Sequence, residues 1–87
     1  MYDYKEHKHH VFTDEGQRMF MDIYRKSVEQ LKFSGAFRLG NVISGVSGST
    51  WDMIACVDRM VELGLIQEVT KDCSAQARVF VATQKTA

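Results

Sequence analysis

The stretch that decides the fold is Gly45-Val46-Ser47-Gly48-Ser49-Thr50, which runs directly into residues 51–63 and then into Gly64-Leu65-Ile66. Glycine and serine are frequent turn formers, so residues 45–48 predict a tight turn. Ser49 and Thr50 are both suited to cap the start of a helix. Apolar residues at helical spacing predict that helix over residues 51–63, and Gly64 is suited to end it: Met53, Ile54, Val57, Met60 and Val61.

A longer amphipathic helix of about 18–20 residues is predicted upstream, ending near Ser34-Gly35. Thr13 or Asp14 is its candidate N-cap, Asp14 with Gln17 has the spacing of a capping box, and Gly35 is its stop signal. One face carries Phe20, Ile23, Tyr24, Ser27, Val28 and Leu31.

Shorter elements fill the rest of the chain. Residues 36–39 are a bridging piece, residues 40–44 predict a short second helix, and residues 65–70 and 78–83 predict two strands joined by a hairpin loop at 71–77. The expected core is Phe20, Ile23, Leu31, Leu39, Ile43, Val57 and Met60, closed on one side by Leu65, Val69, Val79 and Val81.

A long helix, two closely linked helices and a terminal hairpin resemble the winged helix-turn-helix family. The residues that carry the resemblance are the turn and cap at 45–50 and the run Val57-Asp58-Arg59-Met60-Val61-Glu62-Leu63-Gly64-Leu65-Ile66. The resemblance covers residues 14–83. It implies an α+β, mainly α fold: three helices with a C-terminal β-hairpin wing.

Length and composition indicate one small globular domain. Of 87 residues, 45% are apolar and 25% charged, and 11 basic residues balance 11 acidic ones. We expect an N-terminal arm at 1–12, the domain at 13–83 and a tail at 84–87. We expect no membrane segment and no secretory signal. Cys56 and Cys73 are expected to be free thiols in a reducing, cytoplasmic compartment.

The family resemblance implies a site for double-stranded DNA, held by a homodimer that forms through the long helix or the arm. The third predicted helix, residues 51–63, would enter the major groove and the hairpin loop would lie over a minor groove or the phosphates. The predicted DNA-binding residues are Arg38, Ser47, Ser49, Thr50, Trp51, Arg59, Lys71 and Arg78. Ser49 and Thr50 can equally serve only as helix caps.

Charge weighs against tight DNA binding, because phosphate neutralisation normally dominates affinity. Residues 49–64 hold three acids, Asp52, Asp58 and Glu62, against the single base Arg59, a local net charge of −2. Trp51 can stack on a base, anchor a protein interface or fold back onto the core. The alternative function is therefore a winged-helix module that binds protein through its Trp51 face, as an adaptor, an inhibitor or a subunit of a larger complex.

Other chemistry has little support in the sequence. His7, His9 and His10 form a histidine-rich stretch, but without a fixed scaffold or paired carboxylates they predict no metal site, and we expect no cofactor. An arm that packs on a partner subunit or reaches along DNA is the favoured interpretation. No hydrolase, P-loop or zinc-protease motif is present, so we predict no catalytic residues and no enzyme activity.

Overall fold

Four helices and three short strands make up a mainly helical α+β fold in a computed structural model that describes residues 2–70 and 77–83. The helices are α1 (Tyr4–Val11), α2 (Asp14–Ser34), α3 (Leu39–Ile43) and α4 (Thr50–Glu62). The strands are β1 (Ala36–Arg38), β2 (Ile66–Glu68) and β3 (Val79–Ala82). The long predicted helix and the third predicted helix are confirmed as α2 and α4 to within a residue or so at each end.

Helix α2 begins and ends largely as its sequence predicts. The Thr13 hydroxyl accepts a hydrogen bond from the backbone N–H of Gly16 (3.0 Å), which confirms Thr13 as the N-cap. The predicted capping box is wrong, because the Gln17 side chain donates to the carbonyl of Val11 (2.7 Å) and so caps α1 instead. Gly35 ends the helix at a φ of 73°, a left-handed conformation that glycine adopts without steric cost.

The segment interpreted as an arm contains helix α1. Asp3 is its N-cap, with the side chain accepting from the N–H of Lys5 (3.0 Å), and basic residues occupy its last turn. Val11, at its C-terminal end, is fully buried. Helix α1 packs mainly on α4 and secondarily on α2.

The sheet has one more strand than predicted. The bridging piece supplies β1, and the order is β1-β3-β2 with both neighbours antiparallel. Phe37 on β1 lies opposite Phe80 on β3, and their rings stack at 5.4 Å between centroids. Of the predicted hairpin loop, only Ala77 lies within the described residues, and the predicted tail lies outside them.

The inward face of the hairpin strands is the opposite of the one predicted. Ile66 and Phe80 are buried, whereas Leu65 and Val69 are exposed and Val79 and Val81 are half-buried. Successive strand residues point to opposite faces, so an error of one position reverses the whole assignment.

The hydrophobic core lies between α2, α4 and the sheet. Its buried members include five of the seven predicted helical residues, while Phe20 and Leu31 are only partly buried. Met19, Met53 and Ile54 are buried, as expected for apolar residues at helical spacing. The core residues that sequence reasoning missed are Val11, Phe37, Val42, Ala55, Cys56, Ile66 and Phe80.

Candidate functional site

Helix α4 is covered on two sides. Ile54, Val57 and Met60 pack into the core, as their spacing predicts. Ala55 and Cys56 are also fully buried, and helix α1 packs across α4. A helix of the same chain therefore covers the side of α4 that carries Asp52, Asp58 and Glu62.

The three carboxylates of α4 all meet donors from the N-terminal segment. Oδ1 of Asp52 lies 2.7 Å from Nδ1 of His10. Asp58 accepts from the Tyr2 hydroxyl (2.6 Å), and Glu62 accepts from Tyr4 (2.9 Å) and Lys8 (2.8 Å). Each carboxylate of α4 thus has a polar partner in the N-terminal segment.

These contacts shift the ionisation of the groups that make them. Hydrogen bonds from Lys8 first, then from Arg59 and Tyr4, lower the pKa of Glu62 to about 2. Desolvation, and then the hydrogen bond to Glu62, raises the pKa of Tyr4 to about 12. Desolvation followed by the bond to Asp58 raises the pKa of Tyr2 as well.

Two of the arginines predicted to bind DNA are engaged by acids of the protein. Arg78 donates to Asp58 (2.7 Å) and Glu68 (2.8 Å), and its side chain is only 16% exposed. The hydrogen bond to Glu68 is the main cause of a raised Arg78 pKa. Arg59 pairs with Glu62 (2.7 Å), and its guanidinium lies over the Phe12 ring at 5.1 Å from the centroid.

The remaining predicted DNA-binding residues are dispersed. Arg38 is exposed at the end of β1, and Lys71 lies outside the described residues. A surface depression beside Thr50 contains no arginine or lysine, and is lined by Gly40, Ile43, Ser44, Val46, Gly48, Thr50 and Met53. Among the described residues, the basic side chains that contact the turn before α4 are Arg18 and Lys26 of α2, which donate to the carbonyls of Ser47 and Ser44 and were not among the predicted DNA-binding residues.

The polar residues that precede and open α4 are exposed. Ser49 stands at the N-cap position, but its side chain makes no capping hydrogen bond. Ser47 and Thr50 are also exposed, and the Ser47 carbonyl accepts from Arg18 (2.8 Å). Trp51 is 44% exposed and presents an edge-on contact to the His7 ring, with centroids 5.2 Å apart.

The apolar face of α2 is wider than the core can cover. Ile23 and Ser27 are buried, but Met21, Tyr24 and Val28 are 60%, 36% and 45% exposed. A neighbouring pocket continues this apolar face, lined by Val11, Phe12, Gln17, Phe20, Arg59 and Leu63. Sequence reasoning placed Tyr24 and Val28 on the helix face of the core residues, and the structure leaves them on the surface.

Sequence reasoning missed the N-terminal side chains that bind α4. His7, His10 and Asp52 each place a potential ligand atom within 4.8 Å of the others. The signal in the sequence was the three-residue spacing of His7 and His10, which puts both rings on one face once the segment is helical. Their partner Asp52 is 42 residues further along the chain than His10.

Comparison of the chain with protein-family models, with curated proteins and with solved structures finds no match. None of the described helices combines the length and apolar character that crossing a bilayer requires.

Proposed function

We propose that this chain is a winged-helix module that acts by binding protein. The winged-helix assignment is supported by the short α3 and α4 joined by the turn at 44–49, followed by the antiparallel pair β2 and β3. The protein-binding role, the alternative in the sequence analysis, is supported best by one observation: α1 lies over the outer face of α4. With α1 on that face, only the exposed start of α4, at Ser49, Thr50 and Trp51, is left to meet a groove.

The partner that fits best is a second copy of this chain, bound through α2. Side chains on this side of α2 are spaced symmetrically about Tyr24: Tyr24 and Val28 are exposed, Phe20 and Leu31 are half-buried, and Gln17 is polar. Phe20 and Val28 lie four residues to either side, and Gln17 and Leu31 lie seven residues to either side. In an antiparallel pair with its two-fold axis beside Tyr24, each residue therefore meets its symmetric counterpart.

Charges along one edge of α2 favour the same arrangement. Asp14, Met21 and Lys32 are spaced by seven and eleven residues, so they share an edge of the helix. A two-fold axis places this edge of α2 against the same edge of the partner's α2. Asp14 of one chain and Lys32 of the other are then offset by only about 3 Å along the helix axis. Ion pairs within α2 among the described residues use Glu15, Arg18, Asp22 and Arg25, so Asp14 and Lys32 are left for the partner.

Cysteine cross-linking tests this interface directly. A Tyr24→Cys variant, made in a Cys73→Ser background, should oxidise to a covalent dimer, because the axis places residue 24 beside its own copy. Phe33→Cys is the matched control, since Phe33 is 84% exposed on the opposite side of α2. Equal or greater cross-linking at position 33 would contradict the proposal.

DNA binding is a second candidate function, favoured by the exposed hydroxyls of Ser49 and Thr50 and the exposed Arg38. Insertion of the middle of α4 into a groove would also require α1 to leave α4. Fluorescence anisotropy with duplex DNA at about 50 and 200 mM salt separates the two functions. The protein-binding proposal predicts no salt-sensitive binding, whereas micromolar binding that falls steeply with salt would support the DNA candidate.

A further inference from the structure

Three potential metal ligands meet where α1 crosses the first turn of α4. Nδ1 of His10 lies 2.7 Å from Oδ1 of Asp52, and Nδ1 of His7 lies 3.6 Å from the same oxygen. The sequence alone offered a histidine-rich stretch without a scaffold. The fold supplies the scaffold, as helix α1, and the carboxylate, from α4.

The His7 ring carries a polar atom that the protein does not satisfy. Nδ1 of His7 is buried and has no hydrogen-bond partner among the described residues. Its 3.6 Å separation from Asp52 is too long for a hydrogen bond. Buried polar nitrogens nearly always have a partner, so an orphaned one that faces a carboxylate and a second imidazole calls for a ligand.

The distances between the three atoms suit a small metal ion. Two ligands bound tetrahedrally to Zn²⁺ at about 2.0–2.1 Å lie about 3.3–3.4 Å apart. The observed separations of 2.7 and 3.6 Å lie on either side of this value. Each of the three residues offers a ligand atom within 4.8 Å of the other two.

We propose that His7, His10 and Asp52 bind a divalent transition-metal ion, with Zn²⁺ as the best fit, and that the ion fastens α1 onto α4. Two imidazoles and one carboxylate favour zinc and its neighbours over Mg²⁺ or Ca²⁺, which prefer oxygen ligands. Three protein ligands leave a fourth position for water. The site does not depend on the proposed dimer, because all three ligands come from one chain.

Titration of the untagged, chelator-treated full chain with Zn²⁺ and Co²⁺ tests the site. We expect one equivalent to bind, with the visible spectrum of four-coordinate Co²⁺. Co²⁺ should also quench Trp51, the only tryptophan, whose ring contacts His7. The thermal midpoint of the wild-type protein should rise with Zn²⁺ and not with Mg²⁺, since a ligand that binds only the native state stabilises it.

Variants assign the ligands. His7→Gln, His10→Gln and Asp52→Asn should each weaken Zn²⁺ binding by about tenfold or more, because each removes one of three ligands. His9→Gln is the matched control, since His9 is an exposed neighbour outside the cluster. It should stay within about twofold of wild type.

Two results would overturn the site. One is a His9→Gln variant that loses as much affinity as His10→Gln. The other is a wild-type chain that neither binds one equivalent of Zn²⁺ nor shows a Zn²⁺-dependent rise in thermal midpoint. This second test uses only the wild-type protein, so it does not depend on any variant folding.

Discussion

The hydroxyl of Tyr2 donates a 2.6 Å hydrogen bond to Oδ2 of Asp58, a residue 56 positions further along the chain. The other oxygen of Asp58 accepts from Arg78 at 2.7 Å. Asp58 therefore ties the N-terminal segment and the residue preceding β3 to the middle of α4. Both Asp58 and Arg78 are largely shielded from water, so this carboxylate has a structural role.

Replacing Asp58 should destabilise the fold clearly. Asp58→Ala leaves the Tyr2 hydroxyl and part of the Arg78 guanidinium without an acceptor, at a cost of about 1–3 kcal/mol in the free energy of unfolding. Arg78 keeps Glu68, which limits the loss. Urea denaturation measures it. Asp22→Ala, which removes more exposed ion pairs on α2, is the control and should cost less than about 1 kcal/mol. A control variant as unstable as Asp58→Ala would refute the role assigned to Asp58.

Gly16 holds α1 and α2 in close contact, and a side chain there should separate them. A Cβ at position 16 would stand 1.9 Å from the His10 carbonyl oxygen, which is backbone and cannot rotate away. We expect Gly16→Ala to destabilise the protein by about 1–3 kcal/mol. We also expect a change in Trp51 emission as α1 shifts, because Trp51 packs against His7 of α1. Glu29→Ala, at an exposed position of the same helix, should change neither quantity. Unaltered stability and emission in Gly16→Ala would show that α1 is not held as described.

The Gly16→Ala variant also tests whether the packing of α1 on α4 regulates DNA binding. If α4 reads DNA once α1 moves, the variant should bind duplex DNA in the anisotropy assay where the wild type does not. The protein-binding proposal predicts that neither protein binds.

The thiol of Cys56 should be unreactive in the native protein. Burial, and then the charge of Asp52, raises its pKa to about 12, so almost no thiolate forms near neutral pH. A Cys73→Ser variant isolates this thiol. It should react with a disulfide reagent only after denaturant is added. Rapid reaction of the native variant would show that the packing around Cys56, whose thiol contacts the Gly16 carbonyl of α2, opens readily.

Acid should weaken the contact between α1 and the end of α4. Hydrogen bonding holds the Glu62 pKa at about 2, below its ordinary value of 4.5. Because the folded pKa is the lower one, this stabilisation is present above pH 4.5 and is lost as the pH falls towards 2. Between pH 4.5 and pH 2, the urea midpoint of Glu62→Gln should therefore fall less than the urea midpoint of the wild-type protein. This difference in pH dependence between the wild type and Glu62→Gln should be smaller at high salt, because Glu62 is exposed and salt screens its charge. An unchanged pH profile in Glu62→Gln would contradict the assignment.

Local sequence patterns predicted the two long helices because their signals are local. Thr13 and Gly35 bound α2, and helical spacing of apolar residues identifies α4. The strands lacked such a signal. Leu65 and Ile66 are both apolar, as are Val79, Phe80 and Val81, so no alternation marked the inward face.

Helix α1 was missed for a different reason. Its sequence, Tyr-Lys-Glu-His-Lys-His-His-Val, has too few apolar residues to show a helical period. Besides the burial of Val11, polar pairing holds it to residues more than 40 positions away, such as His10 with Asp52 and Tyr4 with Glu62. Tertiary contacts of this kind decide which face of α4 is free, and no local pattern contains them.

Sedimentation equilibrium of the wild-type chain beside Val28→Asp and Phe33→Asp tests the central claim most directly. Val28 lies on the proposed α2 interface and Phe33 lies off it, and both are exposed apolar residues of the same helix. We predict that the wild-type chain forms a reversible dimer. Val28→Asp should raise the dissociation constant of that dimer by about tenfold or more, because a charge would be buried without a partner. Phe33→Asp should dimerise as the wild type does. A wild-type protein that remains monomeric at high micromolar concentration, or a Phe33→Asp variant that dissociates as readily as Val28→Asp, would contradict it.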